Sequence, residues 1–159
     1  MRYTFEDEEM YIYEAAQHDI DNMVWPDTMK TLMIHGDYVD HIVVPEGVDT
    51  FACRKALMTC KLPDSIEFLY LENNRIKEIE LPQDIIIADV SDNYLESITF
   101  RGGRPQKLKE LYVQNNRLKT LEFHPPQSLN TLNIRFNHGL TMNKELVDYI
   151  NHTDIDLIK

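Results

Sequence analysis

Residues 62–82 read LPDSIEFLYLENNRIKEIELP, and their apolar side chains fall into a fixed order. Ile66, Leu69, Leu71, Asn74, Ile76, Ile79 and Leu81 occupy the capitals of L-x-x-L-x-L-x-x-N-x-L-x-x-L-x-L. Leu69 and Leu71 alternate with Phe68, Tyr70 and Glu72, which is the period of a strand with one buried face. The chain then turns at Asn74 and places further apolar residues at wider intervals.

Moving outward, the same order recurs. Ile85, Ala88, Val90, Asn93, Leu95, Ile98 and Phe100 repeat it, as do Leu108, Leu111, Val113, Asn116, Leu118, Leu121 and Phe123. Leu129, Leu132, Ile134 and Asn137 begin another copy that breaks at Gly139-Leu140. Upstream, Met29, Leu32, Ile34, Asp37, Val39, Ile42 and Val44 fit with Asp in the Asn slot, and Val48, Phe51, Cys53, Ala56, Met58, Cys60 and Leu62 fit loosely. Met10, Tyr13, Ala15, His18, Ile20, Met23 and Trp25 sit at the same offset of 19. Prolines keep time with the copies at 26, 45, 63, 82, 105 and 125/126. Seven units result, four good and three degenerate, with RGGRPQ (101–106) inserted before the copy at 108.

This pattern resembles the leucine-rich repeat family over roughly residues 10–140. Its LP opening and repeat length are similar to the short repeats of bacterial effectors and of some large-virus and amoebal proteins. The resemblance implies a right-handed solenoid with a parallel concave sheet, α/β in class by family but β-rich here. Such domains mostly bind proteins, so it also implies a non-enzymatic interaction module. The Asn slot is empty in the upstream copies, so the N-terminal half is expected to stack less regularly.

The physical reading agrees with that shape. One unit buries too few apolar side chains to offset its own ordering entropy, whereas stacked units share backbone bonds and a continuous core. The segment returning from each strand is too short for a helix of ordinary length, so the convex side is expected to be extended chain and turns. Asn74, Asn93, Asn116 and Asn137 recur in register where amides lose their strand partners. Each side chain can donate and accept, which makes a hydrogen-bonded Asn ladder between turns the favoured reading over plain surface turns. TMNKELVDYINH (141–152) reads as a helix with Thr141 or Asn143 as N-cap and Met142, Leu146, Val147 and Ile150 inward. The chain is therefore expected to form a single domain over 1–159. Residues 1–9 are its N-terminal cap, with a short strand at 2–5, 10–140 hold about seven repeats, and 141–159 form a helical C-terminal cap.

Composition limits the partners. Of 159 residues, 16 are Lys or Arg and 27 are Asp or Glu, a net charge of −11 that repels phosphate backbones. Nucleic acid is not an expected partner. Seven acids against Arg2 alone fall in residues 1–24, an imbalance that either keeps the chain soluble or meets a basic surface. The apolar runs are far shorter than the ~20 residues that cross a bilayer, so no membrane insertion is expected. The acidic start lacks the pattern of an export signal, which points to an intracellular protein, host cytoplasm or a virion included if the origin is viral or effector-like.

Chemistry is sparse. Cys53 and Cys60 occupy apolar slots and read as buried structural thiols instead of a disulfide. His18, His35, His41, His124, His138 and His152 are scattered without metal-ligand spacing, and no nucleophile–base string occurs. No catalytic residue, metal or cofactor is assigned. What remains is the outward column of the strands, whose middle carries Phe68, Tyr70, Ile87 and Tyr112 beside Glu72, Asp89 and Glu110. Exposed aromatic clusters mark binding sites, although aromatic residues also favour strands for their own sake. The expectation is a concave face that binds a protein with a basic surface. The alternative is a structural accessory component of a larger assembly, such as a complex or virion, docking by its ends or convex edge.

Overall fold

The computed structural model describes residues 1–36 and 38–159. The chain winds as a β-solenoid of about seven turns around one parallel sheet. That sheet has nine strands in the order β1 (Arg2–Glu6), β2 (Glu9–Tyr13), β3 (Thr31–His35), β5 (Thr50–Arg54), β7 (Phe68–Tyr70), β9 (Ile87–Asp89), β11 (Glu110–Tyr112), β13 (Thr131–Asn133) and β15 (Asp156–Ile158). Every pairing within it is parallel except β1 with β2, which form an antiparallel hairpin. The skipped numbers lie on the return segments. There β4 (His41–Val43) pairs with β6 (Thr59–Lys61), β8 (Glu78–Leu81) with β10 (Ser97–Phe100), and β12 (Thr120–Leu121) with β14 (Thr141–Met142), all in parallel.

Register explains the apolar order. Met10, Leu32, Phe51, Leu69, Ala88, Leu111, Leu132 and Leu157 stand side by side on successive strands of the large sheet. All but Leu157, which is partly buried, are enclosed in one core that also takes the return residues Val39, Ile76, Leu95 and Leu118. Prolines open a tight turn before β3, β5, β7, β9 and β13. Pro26, Pro45, Pro63, Pro82 and Pro126 each accept at their carbonyl from the amide three residues on, at Met29, Val48, Ile66, Ile85 and Leu129. Those acceptors deliver the first apolar slot of a unit into the core, and a fixed φ suits Pro to this position.

At the far end of each strand the chain reverses through a left-handed residue. Asn73, Asp92, Asn115 and Phe136 have φ of 59, 52, 53 and 57°, each immediately before a slot Asn. Asn and Asp tolerate that conformation better than other side-chain-bearing residues. Asp37, placed by its spacing in the Asn slot of an upstream unit, lies outside the described residues.

Three expectations are corrected. The first unit is displaced by three residues: Met10 and Ile12 face the core, while Tyr13 and His18 are exposed. The offset from Met10 to Leu32 is longer than that of the next turns because α1 (Gln17–Asp21) occupies the return and buries Ile20. In the third unit Leu57 is fully buried and Met58 is 46% exposed. That turn is one residue shorter than the next, so the apolar side chain following it arrives one position early. Finally, residues 141–159 are not helix alone. α2 (Lys144–His152) has Asn143 as N-cap, buries Leu146 and packs Tyr149 and Ile150 against the core, with Val147 outside it. β14 precedes it, and the following β15 adds a ninth strand.

The RGGRPQ insertion is absorbed outside the core. Arg101–Gly103 form a 3-10 turn, with Gly102 and Gly103 at φ of 70 and 72°. Arg101 reaches back to the Asp64 carboxylate, to Glu80 at 3.3 Å and to the Leu62 carbonyl at 3.2 Å, tying the extra loop across the preceding turns.

Candidate functional site

Parallel pairing at ~4.8 Å converts sequence spacing into two columns on the solvent side of the large sheet. The first runs Thr31, Thr50, Phe68, Ile87, Glu110, Thr131 and Asp156, each opposite the next in register. The second runs Met33, Ala52, Tyr70, Asp89, Tyr112, Asn133 and Ile158. Phe68, Tyr70, Ile87, Asp89, Glu110 and Tyr112 therefore share one face of three adjacent strands, and each is half-buried. Glu72 follows β7 and is half-buried as well. Their register sets aromatic and aliphatic side chains beside carboxylates on one half-buried face.

The carboxylates are only partly satisfied. The Tyr112 hydroxyl donates to Glu110 Oε2 at 2.9 Å, and Asp89 Oδ1 accepts from the Ser91 amide at 3.0 Å and from its hydroxyl at 2.5 Å. Arg54 donates to Glu72 Oε1. Glu72 Oε2 and Gln114 Oε1 are buried and, among the described residues, meet no hydrogen-bond donor. A buried acceptor without a donor costs ~1–3 kcal/mol, and the charge of Glu72 is met on its other oxygen by Arg54.

Negative charge gathers around Tyr112. Burial, then the Glu110 hydrogen bond and the negative charges of Glu110, Asp89 and Asp156 push the Tyr112 hydroxyl up to about 12. Burial is the largest cause of that rise, and the carboxylates of Glu110, Asp89 and Asp156 add to it as negative charges gathered around one hydroxyl. Asp156 belongs to β15, the strand without a leucine-rich signature. Only the short alternation Ile155-Asp156-Leu157-Ile158 could have placed it.

The slot asparagines line the strand ends, beneath this face. Oδ1 of Asn74, Asn93, Asn116 and Asn137 accepts from the amides of Leu57, Ile76, Leu95 and Leu118, one turn earlier, at 2.8–3.1 Å. Nδ2 of each donates to a carbonyl of that earlier turn, at Cys53, Leu71, Val90 and Val113, within 2.6–2.9 Å. All four side chains are buried. They hold adjacent turns at constant spacing, and the columns above inherit that spacing.

Cys53 is buried, Cys60 is half-buried as a residue, and both are free thiols. Burial pushes each thiol from 9.0 to about 12, so neither is a nucleophile at neutral pH. No group of three or more His, Cys, Asp or Glu side chains among the described residues is arranged to hold a metal ion. Nor is any helix among them long and apolar enough to cross a membrane.

Comparison of the chain with family models, with curated proteins and with solved structures gives no match in any of the three.

Proposed function

We propose that this protein is a non-enzymatic interaction module whose concave sheet holds an extended protein segment carrying Lys or Arg. The register of Phe68, Ile87 and Glu110 beside Tyr70, Asp89 and Tyr112 carries this reading. It joins apolar floor to carboxylate in alternate positions, which suits a segment that presents aliphatic and cationic side chains by turns. Asp89 and Glu110, set among the apolar side chains, are the carboxylates available to a cationic ligand. We further infer that the repeats are of the short leucine-rich type, supported by the L-x-x-L-x-L order and the slot asparagines, and that α2 serves as the C-terminal cap over Leu132 and Leu129.

Screening immobilised peptides with the full chain tests the proposal. Lys- and Arg-containing sequences should be retained at low salt and released as ionic strength rises. The variants Tyr70→Ala with Tyr112→Ala, and Asp89→Asn with Glu110→Gln, should lose them while melting close to the parent. Retention of the same peptides by the tyrosine double variant would remove the concave face as the site.

A further inference from the structure

We propose that the free edge of β1 is a self-association site, at which a second copy of this chain adds its own β1 in the antiparallel direction about a two-fold axis through Thr4. β1 ends the nine-stranded sheet, and among the described residues no strand lies beyond it. Bonds one strand further in fix the direction of its backbone groups. The Glu8 carbonyl accepts from the Lys30 and Thr31 amides, and the Glu14 amide donates to the His35 carbonyl, so the even-numbered positions along β2 bond to β3. Glu9, Tyr11 and Tyr13 therefore bond to Glu6, Thr4 and Arg2, their partners in register. Tyr3 and Phe5 are left with amides and carbonyls directed off the sheet, the template that an added strand requires.

Read against itself in the antiparallel direction, RYTFE is complementary. With Thr4 opposite Thr4, Arg2 of each copy faces Glu6 of the other and Tyr3 faces Phe5. Tyr3 and Phe5 are the residues with outward backbone groups, so these pairs exchange both backbone bonds. The charged pairs then fall on the non-hydrogen-bonded positions, where side chains approach most closely. Slipping the register by two residues either way sets Arg2 against Thr4 or Glu6 against Thr4 and strands the charges. In a chain of net charge −11, two copies repel unless local pairs oppose it, and one register alone supplies both.

The side chains argue for the same occupant. Tyr3 lies opposite Ile12 and Phe5 opposite Met10, so all four point to the core side of the sheet. Ile12 and Met10 are buried, but Tyr3 is 56% and Phe5 36% exposed. The core thus ends in an aromatic pair that, among the described residues, no further strand covers. A second copy would lay its own Phe5 and Tyr3 there and continue the apolar layer across the axis. Arg2 bonds Glu14 of its own chain at 2.7 Å, but both side chains are largely exposed, at 74% and 69%. Such a pair is weak, so Arg2 is free to exchange it for Glu6 of the second copy. The site shares no residue with the concave columns on β7, β9 and β11, and stands or falls independently of them.

Sedimentation equilibrium of the full chain tests this. The average mass should rise with concentration from 18.8 kDa to twice that value. Arg2→Glu opposes like charges at both ends of the pairing and should raise the dissociation constant at least about tenfold. Arg2→Glu with Glu6→Arg restores opposite charges in the same register and should return it to the parental range, although the Glu14 contact stays lost. Phe5→Pro removes an amide aimed at the second copy, not at β2, and should leave a folded monomer. Three results overturn the proposal: a parent that stays monomeric throughout, association that survives Phe5→Pro, or a charge-swapped double variant as monomeric as Arg2→Glu. Should Phe5→Pro fail to fold, the comparison of the single and double charge variants decides alone.

Discussion

Asn93 Oδ1 accepts the Ile76 amide at 3.0 Å, while its Nδ2 donates to the Leu71 carbonyl at 2.8 Å, so one side chain bonds an amide and a carbonyl of the preceding turn, the carbonyl being shared with Asn74 Nδ2 at 3.0 Å. Nδ2 also reaches the Val90 and Ser91 carbonyls of its own turn at 3.2 and 3.0 Å. Asn93 therefore joins two turns and braces its own. Asn93→Ala would strand the Ile76 amide in the core, at a cost of ~1–3 kcal/mol per unpaired group. Urea unfolding should show that loss in the midpoint. Asn93→Asp keeps the acceptor but loses the donor and buries a charge, and it should cost more at pH 7 than at pH 3.

Phe136 occupies the same left-handed position as Asn73, Asp92 and Asn115, with φ of 57°. Its ring is 55% exposed and lies under the Arg135 guanidinium at 5.0 Å, a contact too open to contribute much. Left-handed backbone costs a residue such as Phe ~1–2 kcal/mol, and less for Asn. Phe136→Asn should raise the melting temperature, with the folded spectrum unchanged. A fall would show that the ring packs more tightly than its exposure indicates.

Alkali should unfold the protein earlier than its acidic composition would indicate. Burial lifts the Cys53 and Cys60 thiols from 9.0 to about 12, and burial with the Glu110 hydrogen bond lifts Tyr112 from 10.0 to about 12. Each group keeps its proton to a higher pH folded than unfolded. The stability they contribute is whole below pH 9 and is lost as pH climbs toward 12. The urea midpoint should therefore be flat between pH 7 and 8.5 and decline steadily above 9. Cys53→Ala with Cys60→Ala should flatten the first part of that decline, leaving the fall above pH 10 to which Tyr112 and Tyr149, both raised by burial, contribute.

The repeat was legible wherever side chains alone decide position. Ile66 to Phe123 obey one order because the three complete units there stack on one another in parallel, and register passes unchanged from strand to strand. The ends follow other physics. Met10 and Ile12 are set inward by a hairpin whose turn residues Asp7 and Glu8 have φ of 49 and 67°, and a periodicity taken from parallel turns carries no information about a hairpin. β15 returns after a helix, so its offset from β13 matches no earlier interval. The concave columns could be enumerated from the pattern, but their half-buried state could not. Burial on an open sheet face depends on the neighbouring strands in three dimensions, which spacing does not encode.

Leu57 and Met58 offer a direct test of register at the irregular third turn. Leu57 is fully buried, and its amide donates to Asn74 Oδ1 at 3.0 Å, the same relation that Ile76 has to Asn93 and Leu95 to Asn116. Met58 immediately precedes the return strand β6 and is 46% exposed. The turn preceding Leu57 runs through Lys55 at φ of 97°, wider than the 52–59° of the turns that carry Asn or Asp, and is one residue shorter. Leu57→Ala should thus open a core cavity and cost ~2–5 kcal/mol, whereas Met58→Ala should remain within ~0.5 kcal/mol of the parent. If instead Met58→Ala were the damaging change, the turn would have the length of its neighbours, Leu57 would face solvent, and the first rung of the asparagine bonds would be set one residue late.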